Sequence, residues 1–303
     1  MKAVYTHYSK PYNSDIRNSQ THWLFPYLEF LILAYSSAKS KKFFGKTVLV
    51  TDSYGKSLIV DSLGIPFDEV IVELDDIEQH NRFWASGKIY GYTKAIKEFE
   101  PFVHFDNDAG FHVKPPEFTD ELTVQHIHNE YGSTFGNIFG GLVNRIVKET
   151  PNEFPYDIYH EAVKGDLRGC NCGVIFFNDS DVWSEFSRYT WALQNSEFFD
   201  KIASEAIAPM YKHFNYWNVV IEEILLYSIF KRLKKKDLYK LFDINGFDFP
   251  KETPNPLKYF HIWGSKRDRE FLKIREKIAV DYLDRYDKAL VDRIYTFFNR
   301  KRT

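Results

Sequence analysis

A chain of 303 residues has room for one large α/β domain or two smaller ones. Its formal net charge of −2 excludes a broadly basic nucleic-acid-binding surface. No apolar run approaches the roughly 20 residues that a membrane-spanning helix needs, and the N-terminus has no signal-peptide apolar region.

Taken in order, Ala3 to Tyr8 reads as a first strand, and Thr21 to Ser37 as an apolar helix with Trp23, Leu24, Tyr27, Leu28, Leu31, Ile32 and Tyr35 near helical spacing. Lys46 to Thr51 is a second buried strand running into Thr51-Asp52-Ser53. Lys56 to Leu63 is a helix stopped by Gly64 and Pro66, and Glu69 to Leu74 a third strand. Ser86 to Phe99 is a helix feeding the run Phe102 to Phe105. This alternation of strand and helix predicts an α/β fold with a mainly parallel central sheet flanked by helices. The second half is less regular: strand-like Leu122 to His128, helical Asn137 to Lys148, a mixed loop 152–169, strand-like Cys172 to Phe177, helices between Asp181 and Lys235, a late strand Lys258 to Trp263, and amphipathic helices from Lys266 to Thr303. The clearest of these helices, Tyr216 to Lys234, ends in a basic run that complements its dipole. Cys170 and Cys172 stand one residue apart, a spacing that turns strand side chains to opposite faces. Two reduced thiols in a cytoplasmic protein are the expectation.

The most informative stretch is Phe102-Val-His-Phe-Asp106-Asn-Asp108-Ala-Gly110. A short aromatic run leads straight into two carboxylates flanking an amide. Open α/β sheets place ligand sites at the carboxyl ends of their strands. Two carboxylates there suit a hard divalent cation that keeps positions free for phosphate oxygens. Asp and Asn are also common turn residues, so this motif alone leaves a plain acidic turn open.

The order of motifs resembles the GT-A glycosyltransferases, and distantly the family-8, glycogenin-like members among them. Asp106-Asn-Asp108 looks like their metal-binding motif, Asn171-Cys-Gly173-Val174 like their N-x-G-V strand, and His261-Ile-Trp-Gly264-Ser-Lys266-Arg267 like their C-terminal histidine motif. The chain departs from the pattern in carrying Asp268-Arg269 where the family has Pro-Trp, and arginine at the sixth position after His261 where the family has lysine. The resemblance implies a single GT-A-like catalytic domain over 1–303: a nucleotide-sugar-binding half (1–115), a less regular acceptor half (116–265) and terminal helices (266–303). It implies a metal-dependent transferase moving a sugar from a nucleotide-sugar donor, a uridine diphosphate sugar, to a glycan acceptor. Mn2+, or Mg2+, would be held by Asp106, Asp108 and His261. By residue type alone His261 is equally readable as a hydrogen-bonded histidine in an aromatic strand.

Donor contacts are assigned to Tyr8 and Tyr12 (base stacking), Asp52, Asn107, Lys88 (near the position of a family arginine), Gly173, Gly264, Lys266 and Arg267. Between the last two, the family's sixth position after the histidine argues for Arg267 at the diphosphate, and Lys266 would face the opposite side if the segment is extended. Asn171 is the candidate catalytic amide facing the transferred sugar. Glu222 and Glu223 lie about 100° apart around an apolar helix, so that one points inward; Glu223 is named as the candidate carboxylate. A nucleotidyltransferase of similar fold is the first alternative, disfavoured by a first loop (Ser9 to Gln20) without glycine. A non-catalytic carbohydrate-binding protein with a decayed transferase site is the second. Neither a nucleic-acid partner nor a membrane span is expected; peripheral membrane association stays open.

Overall fold

The computed structural model describes residues 1–9, 23–77, 84–99, 101–129, 134–150, 167–178, 180–199, 201, 215–235, 238–240, 259–262 and 266–302. The chain forms two compact units that interleave along the sequence. One is built of residues 1–77, 95–117 and 251–303, the other of 78–94 and 118–250.

In the first unit, β1 (Lys2–His7) is paired in parallel on both sides, with β2 (Lys46–Thr51) and β4 (Phe102–Phe105); β3 (Glu69–Val72) extends the sheet beyond β2, also in parallel. Parallel strands buried on both faces need near-continuous apolar runs, which is what Ala3-Val-Tyr, Val48-Leu-Val and Phe102-Val supply. The helix α1 (Pro26–Phe44) packs on β1, β2 and the short strand β5 (Ala109–Phe111). It runs longer than the expected 21–37 segment. Pro26 fits the first helical position, where its missing N–H costs nothing. Gly45, with φ +86°, ends the helix as its N–H bonds back to the Lys41 carbonyl at 2.9 Å. Residues 38–44, beyond the expected end at Ser37, form its last turns.

The helix α2 begins at Ser53–Lys56 and continues as π-helical turns, Ser57–Ser62. A long terminal helix, Arg269–Phe297, lies in the first unit and packs on α1. It starts at Asp268, whose carboxylate accepts from Phe271 N, and breaks at Asp287, which is extended and caps the next turn by accepting from Leu290 N at 3.1 Å. β11 (Tyr259–His261) runs antiparallel to β5.

The second unit holds a parallel pair, β6 (Leu122–Val124) with β10 (Leu238–Lys240), and an antiparallel pair, β6 with β9 (Val174–Phe177). A separate ladder joins β7 (Ile127–Asn129) to β8 (Arg168–Cys170). The single strand expected over Leu122 to His128 is thus two, because Gln125 and His126 turn the chain from one ladder to the other. α3 (Trp84–Phe99), α4 (Thr134–Glu149), α5 (Ser180–Gln194) and α6 complete the described elements. α6 runs through Asn215–Val219, Val220–Ile224 and Leu225–Arg232. Cys170 and Cys172 are free and buried, and burial pushes both thiols up from their ordinary range. The fold is α/β with a mainly parallel sheet flanked by helices. No helix among the described residues is long and apolar enough to cross a membrane.

Candidate metal centre

Asp106 and Asp108 sit where β4 ends. The turn closes as Ala109 N donates to the Asp106 carbonyl at 3.0 Å, and β5 leaves it at once. β11 then lies alongside with His261 opposite Ala109, and Ile262 N donates to the Asp108 carbonyl at 3.1 Å. That register sets a histidine from near the end of the chain beside two carboxylates from its first half. Gly110 permits the approach. A Cβ there would lie 2.6 Å from Ser36 Oγ and 3.0 Å from the Phe260 ring, so any side chain would push β5 off α1 and β11. Ser36 Oγ donates to the Ala109 carbonyl at 2.5 Å and fixes the turn to α1.

His261 Nε2 lies 3.4 Å from Asp108 Oδ1 and 3.6 Å from Asp106 Oδ2, and one ligand atom from each of the three residues falls within 4.8 Å of the others. Metal–ligand bonds of about 2.0–2.3 Å hold their donors on the order of 3–4.5 Å apart, so the spacing fits one ion. Two carboxylate oxygens and an imidazole nitrogen form a donor set for a divalent cation, and Asp106, 22% exposed, keeps the site open on one side. These three residues could hold a metal ion.

Lys266 is the fourth member. Its Nζ lies 2.8 Å from Asp108 Oδ2 and 5.3 Å from the Trp23 ring, and its carbonyl accepts from Leu24 N at 2.9 Å. Burial alone would push the Asp108 carboxyl up. The Lys266 ammonium and the His261 ring more than offset it and hold the group far below the usual carboxylate range. Burial works against the Lys266 ammonium too, but Asp108, then Glu29 and Asp106, raise its pKa. Arg267 is exposed. Lys266, expected to face away, is thus the one of these two cations that meets Asp108. Residues 266 and 267 lie in a turn, so the period-2 alternation behind that expectation does not apply.

Around this core, Asn107 turns to His7, its Nδ2 donating to Nδ1 at 3.3 Å. The His7 ring accepts as neutral imidazole, and burial lowers its pKa to about 4 against the opposing pull of Asp52. Asp52 caps α2: it accepts from Gly55 N at 2.6 Å, Ser9 N at 2.6 Å and Ser9 Oγ at 2.8 Å. Tyr8 is buried, with its hydroxyl pushed up to about 12 by burial and by Asp52, and that hydroxyl meets no hydrogen-bond partner among the described residues. Tyr12 and Gly264 lie outside the described residues. His7, Trp23 and Glu29 carry no functional motif in the sequence; a polar residue in an apolar strand is the signal that marks His7.

In the second unit, Lys88 is buried. Its Nζ lies 2.7 Å from Glu222 Oε1 and donates to the Cys172 carbonyl at 3.1 Å; Tyr92 Oη donates to the same Glu222 oxygen at 3.0 Å. The inward carboxylate of α6 is thus Glu222, 1% exposed, while Glu223 is half-buried. The helix turns its more crowded face to Lys88 and Tyr92, which sequence phase alone could not orient. Asn171 and Gly173 share one turn, Gly173 N donating to Asn171 Oδ1 at 3.0 Å, and Asn171 N donates to the His126 carbonyl at 2.9 Å.

One family model, described as "Family of unknown function (DUF6734)", matches residues 1–291. No curated protein matches the chain. Among solved structures, the chain is similar to the nucleoside-diphosphate-sugar pyrophosphorylase from Vibrio cholerae RC9, at 12% identity and a TM-score of 0.38 over 90% of this chain and 100% of that one. It is also similar to mouse xyloside xylosyltransferase 1 in its apo form, at 11% identity and a TM-score of 0.32 over 80% of this chain and 85% of that one.

Proposed function

The chain belongs to the family of unknown function DUF6734, and for it we propose a metal-dependent glycosyltransferase of GT-A type. It transfers a sugar from a uridine diphosphate sugar to a glycan acceptor, acting as one catalytic domain in the cytoplasm. The observation that carries this reading is the meeting of Asp106, Asp108 and His261 at the carboxyl end of a parallel strand. Three ligands drawn from two distant motifs, in the order the sequence resemblance requires, are more than an acidic turn needs.

When bound there, a divalent cation, Mn2+ or Mg2+, supplies positive charge to a diphosphate leaving group. The remaining work belongs to the chain's own residues. Lys266, anchored through its backbone to Leu24, adds a second positive charge beside Asp108 and stabilises the departing diphosphate. Tyr8 offers the donor a hydroxyl that meets no partner among the described residues. Within the second unit, the Lys88–Glu222 pair holds the Asn171 to Gly173 turn through the Cys172 carbonyl.

One observation favours a second reading. The Lys266 ammonium already neutralises Asp108, as a carbohydrate- or nucleotide-binding protein with a decayed metal site would require. Thermal shift of the full chain with manganese and uridine diphosphate separates the two. The transferase reading expects stabilisation by the diphosphate that depends on manganese and is lost in both Asp106→Ala and Asp108→Ala. Diphosphate binding that ignores manganese supports the second reading, and metal and diphosphate binding unchanged in both variants overturns the site.

A further inference from the structure

The C-terminal turns of α1 and the facing part of the terminal helix, which we label α7 (Arg269–Phe297), flank an open cleft of about 660 Å3 within the first unit. Its walls carry Lys39, Lys41, Lys42 and Arg285 with Tyr282 and Tyr286. That volume is in the range of small-molecule sites.

The charge here is lopsided. Lys41 is paired with Asp68 at 2.7 Å. Among the described residues no carboxylate pairs with Lys39, Lys42 or Arg285. Lysines in the last turn of a helix complement its dipole, which accounts for Lys41 and Lys42. It does not account for Lys39, one turn earlier, nor for Arg285, which comes from the other helix. Lys39 lies over the Tyr282 ring at 4.3 Å and donates to the His112 carbonyl at 3.0 Å. Burial, then Lys42 and Arg285, lower its pKa, so the like charges are close enough to repel. Arg285 uses Nε on the Asp281 carbonyl at 2.9 Å, which leaves the terminal nitrogens of its fork available. Tyr282 and Tyr286 stack with centroids 6.3 Å apart and an interplanar angle of 13°, and Tyr286 is 47% exposed.

Three uncompensated cations around an open, aromatic-walled cavity store repulsion that an anion relieves. We propose that this pocket binds a phosphate group carried on a small polar molecule. A dianionic phosphate offers oxygens to the planar Arg285 fork and to the lysine point charges at once, and an exposed tyrosine face suits the carrier's ring. The same chemistry is presented by a free phosphate ester and by a phosphorylated lipid headgroup.

The test uses the full chain in chelator-containing buffer, so that the Asp106, Asp108 and His261 site holds no ion. Calorimetric titration with inorganic pyrophosphate should show binding, weakened at least tenfold in the double variant Lys42→Glu/Arg285→Glu and unchanged in Asp106→Asn/Asp108→Asn. The milder Lys42→Gln/Arg285→Gln should weaken it severalfold, with circular dichroism confirming the fold of each. Sedimentation with phosphatidylcholine vesicles, with and without phosphatidylinositol 4-phosphate, identifies the source. Pelleting only with the phosphoinositide, reversed by pyrophosphate, assigns a lipid headgroup; pyrophosphate binding without pelleting assigns a free ester. Equal binding by parent and charge-reversed chains, or no binding of either probe by the parent, overturns the proposal. Because the acidic-site variant is carried alongside, failure here leaves the transferase reading untouched, and the reverse holds.

Discussion

Each unit contains a lysine–carboxylate pair of nearly the same length, Lys266–Asp108 at 2.8 Å in the first and Lys88–Glu222 at 2.7 Å in the second. Their surroundings make them different devices. Lys88 and Glu222 are both buried, and a tyrosine hydroxyl and a backbone carbonyl complete the network. Within this network, among the described residues, the Lys88 ammonium meets the Glu222 carboxylate. Around Asp108 there is a second carboxylate, an imidazole and a side open to solvent, and among the described residues the Lys266 ammonium acts with more than one carboxylate. Paired charge sealed from water makes a strut. Clustered carboxylates and an imidazole with access to solvent could hold a cation.

The largest test of the contrast removes half of the strut. Glu222→Ala leaves the Lys88 ammonium buried without its counter-charge, and should cost about 3–5 kcal/mol of stability in urea unfolding, as truncation of one buried ion-pair partner generally does. A loss below about 1 kcal/mol would mean that water reaches Lys88 and that the two pairs are alike.

The next effect belongs to the neutral ring behind the first site. The folded-state pKa of His7, about 4, lies below the ordinary value of 6.5, so the unfolded chain binds its proton first as pH falls. Stability is full above about 6.5 and drains away towards 4, by up to about 3 kcal/mol. Unfolding measured across that window should show the slope in the parent and a shallower one in His7→Gln, which keeps an acceptor for Asn107. Asp108, whose pKa is depressed, acts in a lower window: its contribution is present above the free carboxylate value and is lost as pH falls further below it.

Manganese at a hundredfold excess over its dissociation constant should stabilise the parent by about 2.7 kcal/mol. Asp106→Asn should abolish that gain while leaving metal-free stability almost unchanged, because Asp106 is partly exposed. An equal gain in variant and parent would show that the open side of the cluster does not bind the ion.

The smallest effects separate two neighbours. Lys266→Gln removes the competing ammonium, so manganese should bind several times more tightly, while the metal-free chain loses stability because buried Asp108 is left without that counter-charge. Arg267→Ala, at an exposed turn position, should change neither quantity measurably. Matching shifts in both variants would return the two residues to equal standing.

Much of the first unit is legible in the amino-acid sequence. The strands over Lys2–His7, Lys46–Thr51 and Phe102–Phe105 are apolar runs because a parallel sheet buries both faces, and a run is a local property. The Asp106-Asn-Asp108 turn and the strand before His261 are visible for the same reason, and their motif order suggests that they meet. Other features are not legible there: which carboxylate of α6 faces inward, which of Lys266 and Arg267 reaches Asp108, and how far α1 runs. The pocket between α1 and α7 is equally hidden, since its lysines look like a solvated helix end until they face an arginine from a segment distant in sequence. Composition and periodicity determined the strands, the helices and the acidic turn, because those depend on neighbours along the chain. The tertiary structure alone decided the pairings, because adjacent residues in a helix or turn point in different directions. Only the partner brought in from elsewhere selects which of them is buried, charged against a neighbour, or left open to bind.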